Sequence, residues 1–130
     1  MPYLIEAVQL NMWSHFMIKE ETIAKLLKFR TDRDWKQFHT IKDQCLGLGI
    51  EVAELQSIFL WKTGQEISET IEKKSEAIRD EIADIFMYLA YISHDLGIDL
   101  NDAVNRKIDK NSKKYPVEKS RGSNKKYTEL

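Results

Sequence analysis

The chain has 130 residues, 42% of them hydrophobic and 32% charged, with a net charge of −1. That length suits one ordinary domain with a real core, and the composition excludes both a disordered tail and a membrane-spanning protein. Near-neutrality leaves the whole molecule without an electrostatic reason to coat nucleic acid, although nine basic residues between Asn105 and Tyr127 are opposed there only by Asp109 and Glu118.

The single cysteine, Cys45, cannot form an internal disulfide and fits a reducing, cytoplasmic setting. Residues 1–16 lack a basic start and carry Glu6 among apolar residues, unlike a secretion signal, and no apolar run approaches a membrane span. Three segments are expected: an N-terminal extension over 1–18, a helical domain over 19–116 and a polar, basic tail over 117–130. Only Pro2 and Pro116 interrupt helix formation, and no stretch alternates with the period of a strand, so the fold class expected is all-α, a bundle of about four to five helices.

In chain order, a first helix is expected over Lys19–Thr31, with Ile23, Leu26, Leu27 and Arg30 at helical spacing. A polar break, Thr31 to Asp34, leads into Trp35 and His39. A second helix is expected over Ile41–Lys62 with Gly64 as its stop, and a third, long one over Glu69–Leu96 ending at Gly97. Asp99 or Asn101 then caps a fourth helix reaching about Lys113. The second and third expected helices are too apolar to face water. They are expected to pack as an antiparallel pair and to complete a four-helix bundle with a second copy, in a homodimer or homotetramer.

Inside those two apolar helices sit four acidic residues. Glu51 and Glu54 interrupt one run, Glu81 and Asp84 the other, each pair spaced i, i+3 on one helix face. Ionised carboxylates in an apolar interior are costly unless compensated, and four converging ones also repel. A divalent cation compensates them. All the donors are oxygens, with no histidine or thiolate at the right spacing, which selects a hard ion: Mg²⁺, or Mn²⁺ in its place. Such an ion shares its coordination with water and substrate phosphates, which points to a phosphate-bearing substrate. A solvated acidic face is the competing reading, and it suits a lone pair better than two pairs bracketed by apolar residues.

These pairs resemble the E-x-x-E…E-x-x-D signature of MazG-type nucleotide pyrophosphohydrolases, in the all-α NTP pyrophosphatase superfamily. The likeness is greatest to the dCTP pyrophosphatase branch. It extends in order through Arg33-Asp34-Trp35-x-Gln37-Phe38-His39, Gly49-x-Glu51-Val52-x-Glu54-Leu55, Trp61-Lys62, Asp84-Ile85-x-x-Tyr88-Leu89, Asp99-Leu100, Lys107-x-Asp109-x-Asn111-x-x-x-Tyr115-Pro116 and Lys126 to Leu130, covering about 19–130. Leu26 departs from the branch, whose animal members have a histidine lining the base pocket there. The resemblance implies Mg²⁺-dependent hydrolysis of a (deoxy)nucleoside triphosphate to monophosphate and pyrophosphate, of the dCTP type or a modified pyrimidine, as nucleotide-pool house-cleaning. Glu51, Glu54, Glu81 and Asp84 would hold the metal and carry the catalysis.

Trp35, His39, Trp61 and Tyr88 are the candidates for the base, since aromatic faces stack on it and His39 can hydrogen-bond its edge; core packing is an equal alternative for Tyr88. Lys107, Asn111, Lys114 and Tyr115 are candidates for the triphosphate, through charge and hydrogen bonds. Lys119 to Lys126 read as a solvated tail, and His15, His94 and Cys45 as structural. The reading from another class is a non-enzymatic helical module that binds nucleic acid through its basic C-terminal segment, but such a module gives no reason to bury four carboxylates. A dUTPase-like activity on the same metal site is the alternative among enzymes.

Overall fold

The computed structural model describes residues 18–130. Apart from Ile18, the expected extension over 1–18 lies outside the described residues, and His15 with it. The described residues are all-helical, in order α1 (Glu20–Asp32), α2 (Ile41–Phe59), α3 (Gln65–Lys73), α4 (Ser75–Asp95), α5 (Leu100–Lys114) and α6 (Val117–Ser120), with 3-10 turns at Trp35–Gln37 and Tyr127–Glu129.

Local chemistry explains most of the boundaries. Glu20 and Glu21 open α1 and Arg30 sits in its last turn, charges that complement the helix dipole. Asp34 then takes a left-handed conformation (φ 52°) and ends the run. Gln37 Nε2 fastens that turn by donating to Asp34 Oδ2 at 2.7 Å. Thr40 caps α2, its hydroxyl accepting from the Asp43 N–H at 3.1 Å. Asp99 caps α5, accepting from the Asp102 N–H at 3.0 Å.

Two boundaries differ from the sequence expectation. The second helix stops at Phe59 rather than Lys62, because Trp61 sits at φ 63°, outside any right-handed helix. Gly64, expected to end that helix, instead precedes the first residue of α3 with φ 50° and ψ −123°, a conformation only glycine takes without strain. The long third helix is two helices, broken at Lys74 (φ −115°, ψ 25°) with no glycine or proline to announce it.

The chain divides into two compact units, Met1–Ile92 and Ser93–Leu130. In the first, the innermost side chains are largely polar. Tyr91 is 4% exposed and Arg30 2%. The Tyr91 hydroxyl donates to the Leu26 carbonyl at 3.0 Å, and the Arg30 guanidinium lies 4.6 Å from the Tyr91 ring centroid. Burial pushes the Tyr91 phenol up from its ordinary value, against the opposing charge of Arg30, so it stays a donor. In the second unit the tail carries α6 and the Tyr127–Glu129 turn. Its Tyr127 meets the Tyr115 ring edge-on at 5.8 Å and lies 4.9 Å below Lys114 Nζ.

Candidate functional site

The faces of α2 and α4 meet in antiparallel register. A Cβ on Gly47 would fall 2.5 Å from the Tyr88 ring, so these two elements touch at that point. One turn along α2, and one turn back along α4, Glu51 approaches Asp84 and Glu81. One carboxylate oxygen from each of these three lies within 4.8 Å of the others. All three are half-buried. Glu54, one turn further on, is exposed and lies near enough to act electrostatically on both Glu51 and Glu81.

Both of the shifted carboxyls move upward. Desolvation is the main cause for Glu51, followed by the Asp84 charge and then by Glu54. For Glu81 it is again desolvation first, followed by the charges of Glu54 and Asp84. Crowding of like charge of this kind is what a bound cation relieves.

Glu81 Oε2 is buried and meets no hydrogen-bond donor. A buried carboxylate oxygen without a donor costs free energy, and a cation removes that cost. The donor set and this orphaned oxygen fit a metal ion.

The aromatic candidates divide. Trp35 sits on the 3-10 turn after α1 and His39 just before α2, their rings 6.3 Å apart. Phe29 meets Trp35 edge-on at 5.6 Å, and the Arg33 guanidinium lies 3.7 Å over Phe29. His39 in turn packs on Tyr91 at 5.4 Å. Tyr88 is half-buried on α4 against Gly47. Trp61 stands apart, 88% exposed, and among the described residues its ring stacks on no other. In the second unit, Lys107, Asn111 and Lys114 share one face of α5, and Tyr115 follows as its C-cap.

Three positions were not singled out from the sequence. Arg30 and Tyr91 form the floor on which His39 rests, and Gln44 (1% exposed) donates through Nε2 to the His39 carbonyl at 2.8 Å. Arg30 had one visible signal, a charged residue on the apolar spacing of its helix. Tyr91 had none, because its contacts join segments distant in sequence, and Gln44 had none although its bond reaches only five residues back, because a glutamine there breaks no helical pattern.

Comparison with known proteins agrees with this geometry. A sequence model of the MazG-like family matches residues 47–130. Over 113 residues the chain is 39% identical to dCTP pyrophosphatase 1 of Mus musculus, 40% to that of Bos taurus and 37% to that of Homo sapiens. The match takes in 85% of this chain but 66%, 67% and 66% of theirs, so the chain spans about two-thirds of the length of these relatives. The structure resembles that of a pyrophosphatase from Archaeoglobus fulgidus with a TM-score of 0.71 and 39% identity, over 75% of this chain and 91% of that one. With the acidic helices inside the matched region and both sequence and fold in agreement, the chain belongs to the MazG-like family, its likeness running to the dCTP pyrophosphatase branch.

Proposed function

We propose that the chain hydrolyses a (deoxy)nucleoside triphosphate of the dCTP type, or a modified pyrimidine nucleotide, to the monophosphate and pyrophosphate, as a house-cleaning enzyme of the cytoplasmic nucleotide pool. The observation that carries this reading is the facing of Glu51 by Glu81 and Asp84 with a buried oxygen of Glu81 left without a donor. Glu51, Glu54, Glu81 and Asp84 hold Mg²⁺, for which Mn²⁺ can substitute. Bound there, the ion offsets phosphate charge and makes water a stronger nucleophile. Water attacks the α-phosphorus, its proton passes to a carboxylate of the cluster, and the bond to the bridging oxygen breaks toward pyrophosphate.

Trp35, His39 and Tyr88 face the base. Trp61, 88% exposed, is proposed to contact the base as well. Lys107, Asn111, Lys114 and Tyr115 are proposed to contact the triphosphate. A panel of ribo- and deoxyribonucleoside triphosphates with Mg²⁺, assayed separately for pyrophosphate and phosphate, tests the reading. Metal-dependent pyrophosphate release from any member supports it, and a folded, Mg²⁺-binding protein that releases none sinks it.

The same reading includes a second copy. Leu46 and Ile50 are each 60% exposed on α2. Among the described residues only Ala90 and Tyr91 are apolar and buried. Apolar faces of this extent require a partner, and an isologous dimer covers both with one contact. Leu46→Glu with Ile50→Glu is expected to shift sedimentation from dimer or tetramer to monomer, and to lower the melting temperature by about 10 °C or more. An unchanged sedimentation coefficient would leave the faces without a role in assembly. Among the described residues no helix is long and apolar enough to cross a membrane.

The metal also has a signature in pH. Glu51 and Glu81 have folded-state values raised above 4.5, so the folded chain holds more protons than the unfolded one just above that pH. Their contribution to stability is therefore greatest below 4.5 and is lost as pH rises through the raised values. A cation replaces the protons. The rise in melting temperature on adding Mg²⁺ is expected to be larger at pH 7.5 than at pH 5, and calorimetry in buffers of different ionisation enthalpy should register proton release on binding. Equal stabilisation at both pH values would place the ion elsewhere.

A further inference from the structure

The polar segment after α5 is folded, although its composition gives it little to fold on. Among the described residues the buried apolar side chains, Ala90 and Tyr91, both belong to the first unit. Ordering a basic tail costs backbone entropy, and no apolar core in the second unit offsets it. The tail nevertheless reverses on itself. The Ser123 N–H donates to the Ser120 carbonyl at 3.0 Å, and Gly122 supplies the left-handed residue of that turn at φ 71°. Beyond it the Tyr127–Glu129 turn closes with the Glu129 N–H on the Lys126 carbonyl at 2.8 Å. The reversal returns the Tyr127 ring to the C-terminal end of α5, against Lys114 and Tyr115.

We propose that Tyr127 is a positioning residue: its ring sets the Lys114 ammonium in place for the triphosphate. This rests on the hydrolase reading and on Lys114 as a phosphate contact, and it gives the tail a part in substrate affinity.

Lys107, Asn111 and Lys114 share one face of α5, and Lys114 is the last residue of that helix. A lysine there has no following helical turn to lie against. Its rotamer freedom is lost when it grips an anion, which lowers affinity unless the side chain is ordered beforehand. The Tyr127 ring, with its centroid 4.9 Å from Lys114 Nζ, does this through the attraction of a cation to an aromatic face. The ring is itself steadied by Tyr115, which it meets at 5.8 Å and 83°.

An aromatic ring suits this task better than a carboxylate does. Among the described residues no acidic side chain forms an ion pair with Lys114. A carboxylate would hold the ammonium equally well but would neutralise it. The ring fixes the position and leaves the charge, and the N–H donors turned away from it stay open to phosphate oxygens.

Two substitutions separate the ring face from mere bulk. Tyr127→Leu keeps an apolar side chain in the tail, and Tyr127→Phe keeps the face. With the triphosphate that the panel selects, Tyr127→Leu is expected to raise KM about threefold to fivefold, with kcat within about twofold of the wild type. Tyr127→Phe should leave both constants near those of the wild type. Lys114→Met should raise KM at least as much, and in that background Tyr127→Leu should add nothing, because its effect passes through the ammonium. Calorimetric titration of the same variants with inorganic tripolyphosphate in Mg²⁺ reads the same cycle without turnover.

A tail that is merely structural gives equal effects of Tyr127→Leu in both backgrounds, and that result overturns the proposal. So does an unchanged KM in Tyr127→Leu or in Lys114→Met. A KM that falls in Tyr127→Leu overturns it as well, since the tail would then withhold Lys114 from substrate. A wild-type protein that releases no pyrophosphate from any triphosphate refutes the hydrolase reading instead, and the tripolyphosphate cycle still decides whether Tyr127 acts through Lys114.

Discussion

Replacing Glu51 by glutamine is expected to lower kcat/KM for triphosphate hydrolysis by about 10³-fold or more while leaving the metal-free protein as stable as before, or more so. The two halves of that expectation have one cause. Glu51 is half-buried beside Asp84 and Glu81, and its carboxyl is pushed up by desolvation and by those neighbouring charges. In the absence of a cation its charge is a burden, and a neutral amide of the same shape relieves it. In the presence of a cation the same substitution removes a ligand oxygen, so the Mg²⁺-induced rise in melting temperature should disappear together with activity. Glu81→Gln is expected to behave alike, with the orphaned Oε2 position no longer demanding a charge partner. Glu54, which is exposed, should show a smaller effect on metal-induced stabilisation. A purely structural role for Glu51 predicts the reverse pattern, loss of stability with metal response intact. The reading of the chain as a nucleic-acid module predicts no change in either. Activity and the melting shift, measured on the same preparation, separate the three.

What the sequence discloses, and what it withholds, follows from the range of the interactions. Thr40 before Asp43 and Asp99 before Asp102 are caps made within four residues, and both were readable as helix starts. The i, i+3 spacing of the acidic pairs is likewise local, and it fixes that each pair leaves one helix face. Register between the helices is not local. That Glu51 meets Asp84 and Glu81, leaving Glu54 exposed, depends on how α2 slides against α4, and Gly47 beneath Tyr88 sets that depth. The break at Lys74 was hidden for a related reason. Nothing in Glu72-Lys73-Lys74-Ser75 opposes a helix, so the interruption reflects tertiary packing overriding propensity. Trp61 shows the opposite case: a large ring at positive φ, exposed, that no helical pattern anticipates. The Arg30–Tyr91–His39 stack was invisible because its members come from α1, α4 and the segment before α2.

Gly47→Ala should be a damaging change at a position where the same substitution normally helps. In a helix interior alanine is favoured over glycine by about 1 kcal/mol. Here the new methyl would lie 2.5 Å from Tyr88 Cζ, 2.7 Å from its Oη and 2.8 Å from Cε1, well inside contact distance. The phenol ring has to leave, or the helices have to part, and overpacking of this kind costs about 1–3 kcal/mol. A net loss of about 1 kcal/mol lowers the melting temperature of a domain this size by about 4 °C or more. Gly49, two residues on, has nothing within 4 Å of its Cβ position and provides the contrast: Gly49→Ala meets no such contact within the chain. If the clash is with the ring, Gly47→Ala combined with Tyr88→Ala should recover stability beyond the sum of the single changes, a coupling that a double-mutant cycle measures directly. Function should respond differently from stability. Tyr88 lies one turn from Asp84 on α4, so a displaced ring disturbs the base end first and the carboxylates second. The expected kinetic result is a KM for the preferred triphosphate raised about tenfold with a smaller change in kcat. A fall in kcat with KM unchanged would mean that the clash is relieved by movement of α4 itself, carrying Glu81 and Asp84 out of register with Glu51.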